Sequence, residues 1–339
     1  MPNLPKHILV IRLSAMGDVA MTVPVLAAFT RQHPTVKITF LTTEFFRPFF
    51  RDLNNVTVLT ADVKGKHKGV LGLYRLSKDL KIKHIDAVAD LHNVLRSNVL
   101  KFFLRKKGFV QIDKGRAEKR ALTTGKEFKQ LKTTQQRYAD VFEKLGFKVD
   151  LSNPVFPGRV VLNKRVEEIA SDSNKKWIGI APFAQYESKM YPLDLMEKVI
   201  ETLSQTYTIL LFGGGKNEIE ILNAFESQHS NVINLAGKLS LDEELDVISN
   251  LEAMISMDSG NAHLAAMFGI KVITIWGVTH PYAGFYPFHQ NKENTLLADR
   301  DRYPKIPTSI YGNKYPENYK DASQTISPET VVEKINSIL

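Results

Sequence analysis

Through its first 150 residues the chain alternates short β-branched runs with longer stretches of helical periodicity. Runs at 7–13, 36–41, 56–59, 85–89 and 109–112 have the length and composition of strands. Stretches at 19–32, 70–80 and 94–104 read as helices, and 133–145 puts Tyr138, Val141, Phe142 and Leu145 on one helical stripe. Strands alternating with helices predict parallel βαβ units, hence an α/β fold.

The pattern breaks at residues 153–158, where two prolines and a glycine fall within six positions. A second alternating series follows. Its strands are expected at 177–181, 207–212, 232–235, 253–257 and 272–276, and its helices at 193–203, 218–225, 241–249 and 261–268. Ser240 and Glu243 have the spacing of a capping box. Residues 277–326, rich in Pro, Tyr, Asn and charge, read as irregular, and Ser327-Pro328 opens a last helix. The organisation expected is an N-terminal Rossmann-like domain over 1–155, a second over 156–326 and a C-terminal helix over 327–339. Open parallel sheets bind ligands at the carboxyl ends of their strands, so the chemistry is expected in the loops after the strands, facing a cleft between the domains.

Length and composition agree with this. A chain of 339 residues is long for one domain, and 43% hydrophobic with 24% charged residues is ordinary for a globular protein. There is no cysteine, which excludes a disulfide framework, thiolate metal sites and a cysteine nucleophile. The first apolar run is short and broken by Arg12, so it reads as a strand and not a signal peptide. No stretch approaches the roughly 20 apolar residues that span a bilayer. The net charge of +9 is uneven: residues 1–150 hold 28 Lys and Arg against 13 Asp and Glu, the rest 17 against 23. A basic first half suggests an anionic partner, although charge also serves solubility.

Five segments carry candidate chemistry. At the first strand-to-helix turn, Arg12, Ser14, Gly17 and Asp18 precede Thr22-Val-Pro24. Gly17 permits a tight turn, and Asp18 either caps the helix or takes a proton from an alcohol. Asp258, Ser259, Gly260 and His263 lie where a later strand passes into a helix, where free N–H groups suit the phosphates of a nucleotide. Lys189 precedes a proline-started helix and suits a diphosphate leaving group, or is a surface lysine. The run Gly213-Gly214-Gly-Lys-Asn-Glu218 lets a ligand approach the backbone, with Glu218 a ribose ligand. Asp90, His92 and Arg96 follow the fourth strand, and a basic stretch with interleaved Phe runs through Lys101, Arg105, Lys106, Lys107, Arg116, Arg120 and Lys132. Such interleaving suits an anionic membrane surface as well as a buried apolar face with solvated charges.

Taken in order, these segments resemble glycosyltransferase family nine, the ADP-heptose:lipopolysaccharide heptosyltransferases. The opening residues 8–24, Ser-Lys-Met-Tyr-Pro at 188–192, residues 213–218, Asn-Leu-Ala-Gly-Lys at 234–238, Asp-Ser-Gly-Asn-Ala-His at 258–263, Ile-Trp-Gly-Val-Thr-His-Pro at 275–281 and the final Ile-Ser-Pro-Glu carry the resemblance over nearly the whole chain. It implies a GT-B fold, an N-terminal acceptor domain and a C-terminal nucleotide-sugar domain. It also implies inverting transfer with no obligatory metal. Asp18 matches the family's proposed catalytic aspartate. Lys189, Glu218, Asp258, Ser259, Gly260 and His263 match positions that contact the donor, and Lys238 and Leu239 the segment beside adenine. The expected acceptor contacts are Ser14, Asp90, His92, Arg96, Arg116 and Arg120. Two departures stand out: Ala184 and Gln185 replace hydroxyl residues common near the phosphates, and the cysteines frequent near the family's C-terminus are absent.

Other classes fit less well. The first loop lacks G-x-G-x-x-G, against a nicotinamide dehydrogenase, and lacks Gly-Lys-Ser/Thr, against a P-loop enzyme. No nucleic-acid recognition module is present in the sequence. A transferase or epimerase using another nucleotide sugar, or a non-catalytic binding protein, remains open. The resemblance implies an ADP-sugar as donor, an anionic glycolipid acceptor and no cofactor. A monomeric, cytoplasmic protein, peripheral at the inner face of the cytoplasmic membrane, is expected.

Overall fold

The computed structural model describes residues 4–106, 108–170 and 175–339, so Lys107 of the basic stretch lies outside the described residues. The chain forms two compact units. The first comprises Met1–Lys114 and Thr133–Val155, the second Gly115–Lys132 and Phe156–Leu339.

In the first unit, β1 (His7–Ile11) leads through a short loop into α1 (Met16–Ala20) and α2 (Thr22–Gln32). Then follow β2 (Lys37–Thr42), β3 (Val56–Thr60), α3 (Gly69–Lys81), β4 (Ala87–Asp90), α4 (Leu95–Leu104) and β5 (Gly108–Gln111). Helix α5 (Arg116–Thr123) belongs to the second unit, and α6 (Thr134–Lys144) returns to the first. The five strands are parallel in the order β3-β2-β1-β4-β5. Residues Ile8 to Ile11 are completely buried, as expected of a central strand covered on both faces. The stripe on α6 faces the core, where the Phe142 ring packs 4.6 Å from Phe29 of α2. The helix expected over 19–32 is two helices broken at Met21.

The second unit continues with α7 (Lys164–Ala170), β6 (Trp177–Ala181), α8 (Leu193–Ser204), β7 (Thr208–Leu211), α9 (Lys216–Gln228) and β8 (Val232–Asn234). It is completed by α10 (Leu241–Ser249), β9 (Ala253–Met257), α11 (Gly260–Met267), β10 (Lys271–Trp276), β11 (Thr295–Leu297) and α12 (Pro328–Ile338). Its strands are parallel in the order β11-β10-β9-β6-β7-β8. Helix α12 packs on α8, and its Val331 and Ile335 join this unit's core.

Two differences from the sequence reading matter. Gly115–Lys132 was expected in the first domain but packs with the second unit. Leu122 and Leu131 share a small apolar cluster with Ala283, the Leu131 N–H donates to the Tyr282 carbonyl, and Phe128 lies against His280, Tyr282 and Arg300. Nor is 277–326 shapeless: it holds β11 and a satellite core of Val278, Ala298, Tyr303, Ile306, Tyr319 and Ala322.

Both strand orders reverse direction once. In the first sheet the chain steps from β1 outward through β2 and β3, then restarts at β4 on the other side; in the second it does the same from β6 and restarts at β9. The loops leaving β1 and β4, and those leaving β6 and β9, therefore part in opposite directions and leave a crevice at the carboxyl edge of each sheet.

Candidate active site

The first crevice is built around a buried arginine. Ile11 pairs in register with Asp90, which brings Arg12 beside Leu91. Arg12 is 7% exposed. Its Nη1 donates to the Leu91 carbonyl at 2.7 Å, and its Nη2 lies 2.5 Å from Asp18 Oδ2. Asp18 stands in the first turn of α1, yet that helix has Ala15 as its N-cap and no side-chain cap. The Asp18 carboxylate therefore serves the ion pair and not the helix end. The Tyr138 hydroxyl donates to the Asp18 carbonyl at 3.2 Å, and burial raises that phenol's pKa. Gly17 lies in α1, outside the left-handed region, so it is not the tight turn the sequence suggested. Ser14 is exposed.

The loop after β4 is shaped by Asp90. Its carboxylate is fully buried and accepts from the His92 and Asn93 N–H groups at 3.0 and 2.9 Å and from Gln111 Nε2 at 2.9 Å. An aspartate so enclosed holds the loop and offers no carboxylate to an acceptor. His92 Nδ1 accepts from the Leu13 N–H at 3.4 Å, which ties the two loops together. Burial, then the Arg12, Lys114 and Arg96 charges, push its pKa down to about 3, so the ring is neutral at physiological pH. Arg96 is exposed on α4. Arg116 and Arg120, grouped with these residues from sequence, are exposed on α5 of the second unit.

The second crevice has a lysine where the first has an arginine. Ala181 pairs in register with Ser256, so the loops after β6 and β9 leave side by side. Lys189 Nζ lies 2.9 Å from Asp258 Oδ2, with the two side chains 13% and 8% exposed. The Thr279 hydroxyl donates to the same oxygen at 2.9 Å. Lys189 is thus a largely buried, paired cation and not a surface lysine. Two glycines make room for it. A Cβ on Gly312 would fall 2.5 Å from Lys189 Cγ, and one on Gly277 would fall 2.3 Å from the Ser188 carbonyl oxygen. That carbonyl accepts from the Val278 N–H at 3.1 Å, and the Ser188 hydroxyl donates to the Gly312 carbonyl at 2.6 Å.

Helix α11 begins at Gly260, and its N-cap, Ser259, makes no side-chain cap; the Ser259 hydroxyl lies instead 3.0 Å from that of Ser256. The first N–H groups of the helix are thereby left for an anion. His263 is buried on the same helix. Glu218, in the first turn of α9, accepts from the Gly214 N–H at 2.8 Å and so closes the glycine loop on itself. At Gly213 the space for a Cβ is taken by Leu222, Glu218 and Phe183. Lys238 pairs with Glu226 at 3.0 Å, while Leu239 is half-buried beside it.

The first unit thus presents a carboxylate gripped by a buried guanidinium. The second presents an ammonium and an uncapped helix start that suit a phosphorylated ligand. The family model for glycosyltransferase family 9 (heptosyltransferase) matches residues 73–313.

The chain belongs to glycosyltransferase family 9.

Among its relatives, a lipooligosaccharide heptosyltransferase 2 of Haemophilus influenzae is 27% identical, covering 98% of this chain and 99% of that one. The fold of a family 9 glycosyltransferase from Veillonella parvula superposes with a TM-score of 0.76 at 20% identity, over 98% of this chain and 97% of that one. An Escherichia coli heptosyltransferase, WaaC, solved with ADP-2-deoxy-2-fluoro heptose, superposes with a TM-score of 0.68 at 18% identity, over 98% and 100%. The fold is GT-B and the chain is a glycosyltransferase, in agreement with the resemblance read from the motifs.

Sequence reasoning placed Arg12 in the first turn's constellation but gave it no role, and it missed Thr279, Gly277 and Gly312. Arg12 left a signal, a charge at the end of an otherwise apolar strand run. Thr279 and Gly277 fell within a segment quoted for its resemblance, but nothing in the spacing told that they would meet Asp258 and Ser188. Gly312 is far from Lys189 in sequence and carries no local mark. Among the described residues no group of three or more His, Cys, Asp or Glu is arranged to hold a metal, and no helix is long and apolar enough to cross a membrane.

Proposed function

We propose that this family 9 enzyme moves a heptose from an ADP-activated donor to an anionic acceptor of the lipopolysaccharide core, with inversion and with Asp18 as general base. The observation that carries the donor half is the largely buried Lys189–Asp258–Thr279 cluster beside the uncapped start of α11. As the sugar–phosphate bond breaks, negative charge grows on the diphosphate. A preorganised ammonium and helix N–H donors stabilise it where it forms. Lys189 would turn from Asp258 to the phosphate while Thr279 keeps its hydrogen bond to the carboxylate. These groups supply the positive charge that a divalent cation provides in other transferases, so the reaction proceeds without an obligatory metal.

On the acceptor side, an inverting displacement needs a base for the proton of the attacking hydroxyl. The Arg12 grip fixes the Asp18 carboxylate and leaves it partly open, its side chain 28% exposed. Its second oxygen is then available to the hydroxyl. The neutral His92 and the exposed Ser14 and Arg96 stand near as acceptor contacts. The acceptor is lipid-linked, and the enzyme reaches it as a peripheral protein on the cytoplasmic side of the membrane.

The test is a donor panel. ADP-, UDP- and GDP-linked heptose and hexose are offered with a lipopolysaccharide inner-core acceptor, and nucleotide release and acceptor mass are followed. Transfer from ADP-heptose alone supports the reading. Preference for a UDP- or GDP-sugar would replace it with a transferase for another nucleotide sugar.

A further inference from the structure

Helices α3 and α4 of the first unit pack on one another and leave a shared outer face uncovered. On α3, Leu71, Tyr74 and Lys78 follow at helical spacing, with Leu71 75% and Tyr74 42% exposed. On α4, Phe102 is 64% exposed. The Tyr74 ring lies 5.3 Å from Phe103, and Phe103 lies 5.6 Å from Phe102, so the apolar surface runs from one helix to the other without a break. Cations border it: Lys78 Nζ sits 4.7 Å from the Tyr74 ring centre, and the Arg105 guanidinium 5.7 Å from that of Phe102.

The charge around this face is almost wholly of one sign. Residues 64–106 hold eleven Lys and Arg against three Asp and no Glu. Each of the three acids is engaged. Asp79 pairs with Lys66, Asp86 accepts from the Lys6 and His7 N–H groups, and Asp90 is enclosed in its loop. Exposed aliphatic and aromatic side chains within a band of long cationic ones are the composition of a surface that lies in a membrane interface, rings at headgroup depth and Lys and Arg stems reaching the phosphates. A second copy on the same face would set these cations against their own kind.

We propose that the α3–α4 face docks on an anionic phospholipid bilayer, with Leu71, Tyr74 and Phe102 entering the headgroup region. This rests on the reading that the acceptor is lipid-linked and names the part of the chain that meets the lipid. It keeps the Lys101–Arg105 part of the stretch that sequence suggested, adds α3, and leaves out the segment around Arg116 and Arg120, which belongs to the other unit.

Two vesicle preparations test it, one of equimolar phosphatidylglycerol and phosphatidylcholine, the other of phosphatidylcholine alone. Co-sedimentation of the full chain should favour the anionic vesicles and weaken as salt rises. Leu71→Ser with Phe102→Ser, and separately Lys78→Glu with Lys81→Glu, should each reduce binding about tenfold or more, because each removes two of the groups that meet the bilayer. The chain has no cysteine, so Leu95→Cys, at an 80% exposed position on α4, takes a single environment-sensitive fluorophore. Its emission should shift to the blue on anionic vesicles. Unchanged thermal melting and ADP affinity establish that the variants are folded. Transfer to a deacylated, water-soluble acceptor should be normal in all of them, so loss of vesicle binding is separable from failure of the transferase reading. No binding to either vesicle, equal binding to both, or a dimer that Leu71→Ser with Phe102→Ser dissociates would overturn the proposal.

Discussion

Replacing Lys189 by methionine keeps the length of the stem and removes the charge. The ammonium lies 2.9 Å from Asp258 Oδ2, a gross attraction on the order of 6 kcal/mol at an effective dielectric of about 20. Much of that offsets the cost of burying the two charges, and only one charge leaves with the mutation. The Asp258 carboxylate stays, 8% exposed, with Thr279 still donating to it. Removing one partner of a buried pair costs about 3–5 kcal/mol, and the remaining hydroxyl donor puts the expected loss near the lower figure, about 3 kcal/mol. Trp177 and Trp276 are the chain's only tryptophans and both lie in the second unit, so their fluorescence in urea reports the unit that holds the pair. Asp258→Asn added to Lys189→Met should recover about 2 kcal/mol, since the stranded charge is gone. Calorimetry with ADP should show affinity about tenfold weaker in the single variant. A Lys189→Met protein within about 0.5 kcal/mol of the parent, as a solvated surface position would give, and with unchanged ADP affinity would refute both the pairing and the phosphate role.

Gly277→Ala places a methyl group 2.3 Å from the Ser188 carbonyl oxygen, so the loop carrying Lys189 must move; ADP affinity should fall severalfold with little change in far-ultraviolet circular dichroism, and an unchanged affinity would show that the loop is not fixed by this contact. His92, held neutral with its pKa near 3, should make stability fall as pH drops from about 6.5 toward 3, because the unfolded chain binds the proton first; His92→Gln should flatten that limb of an acid titration, and an identical limb would remove His92 from the account. Glu244 works in the opposite sense: burial raises its pKa to about 7, so its ionisation opposes folding as pH rises from about 4.5 through 7, and Glu244→Gln should stabilise the protein at pH 8 and leave it unchanged at pH 4. Transfer should persist after chelation and dialysis, and activity lost to chelator and restored by Mg²⁺ or Mn²⁺ would contradict the charge balance assigned to Lys189 and α11.

The alternation of strands and helices was legible because a parallel sheet buried on both faces demands long apolar runs, and β1 and β9 show them plainly. Two helix starts were equally plain: in the Ser240–Glu243 capping box the Ser240 N–H donates to Glu243 at 2.8 Å, and before Pro328 the N-cap Ser327 accepts from the Thr330 N–H at the start of α12. Short elements escaped. β11 has three residues and no period of its own, and its place is set by pairing with β10. Helix α5 was read as a basic stretch because its one buried side chain, Leu122, packs on a residue 161 positions later, Ala283. The same limit applied at the sites. Asp18 and Lys189 were visible as reactive residues in turns, but the charges they would meet were not. Arg12 and Asp18 sit six residues apart across a turn, whereas Lys189, Asp258 and Thr279 converge only through the β6–β9 and β9–β10 registers. Asp90 and Gly17 show the converse. Both have types suited to chemistry, and both are used by the backbone around them.

The most direct test of the account compares the parent protein with Asp18→Asn, using ADP-heptose and a lipopolysaccharide inner-core acceptor. The turnover number is measured by ADP release and acceptor mass, and donor affinity separately by calorimetry. Asparagine fits the same space and keeps a carbonyl oxygen for Arg12 but cannot accept the acceptor's proton. Turnover is expected to fall by roughly 10² or more, with donor affinity within about twofold of the parent. An Asp18→Asn protein that turns over at near-normal rate would show that the base lies elsewhere and that the Arg12–Asp18 pair only braces the first loop.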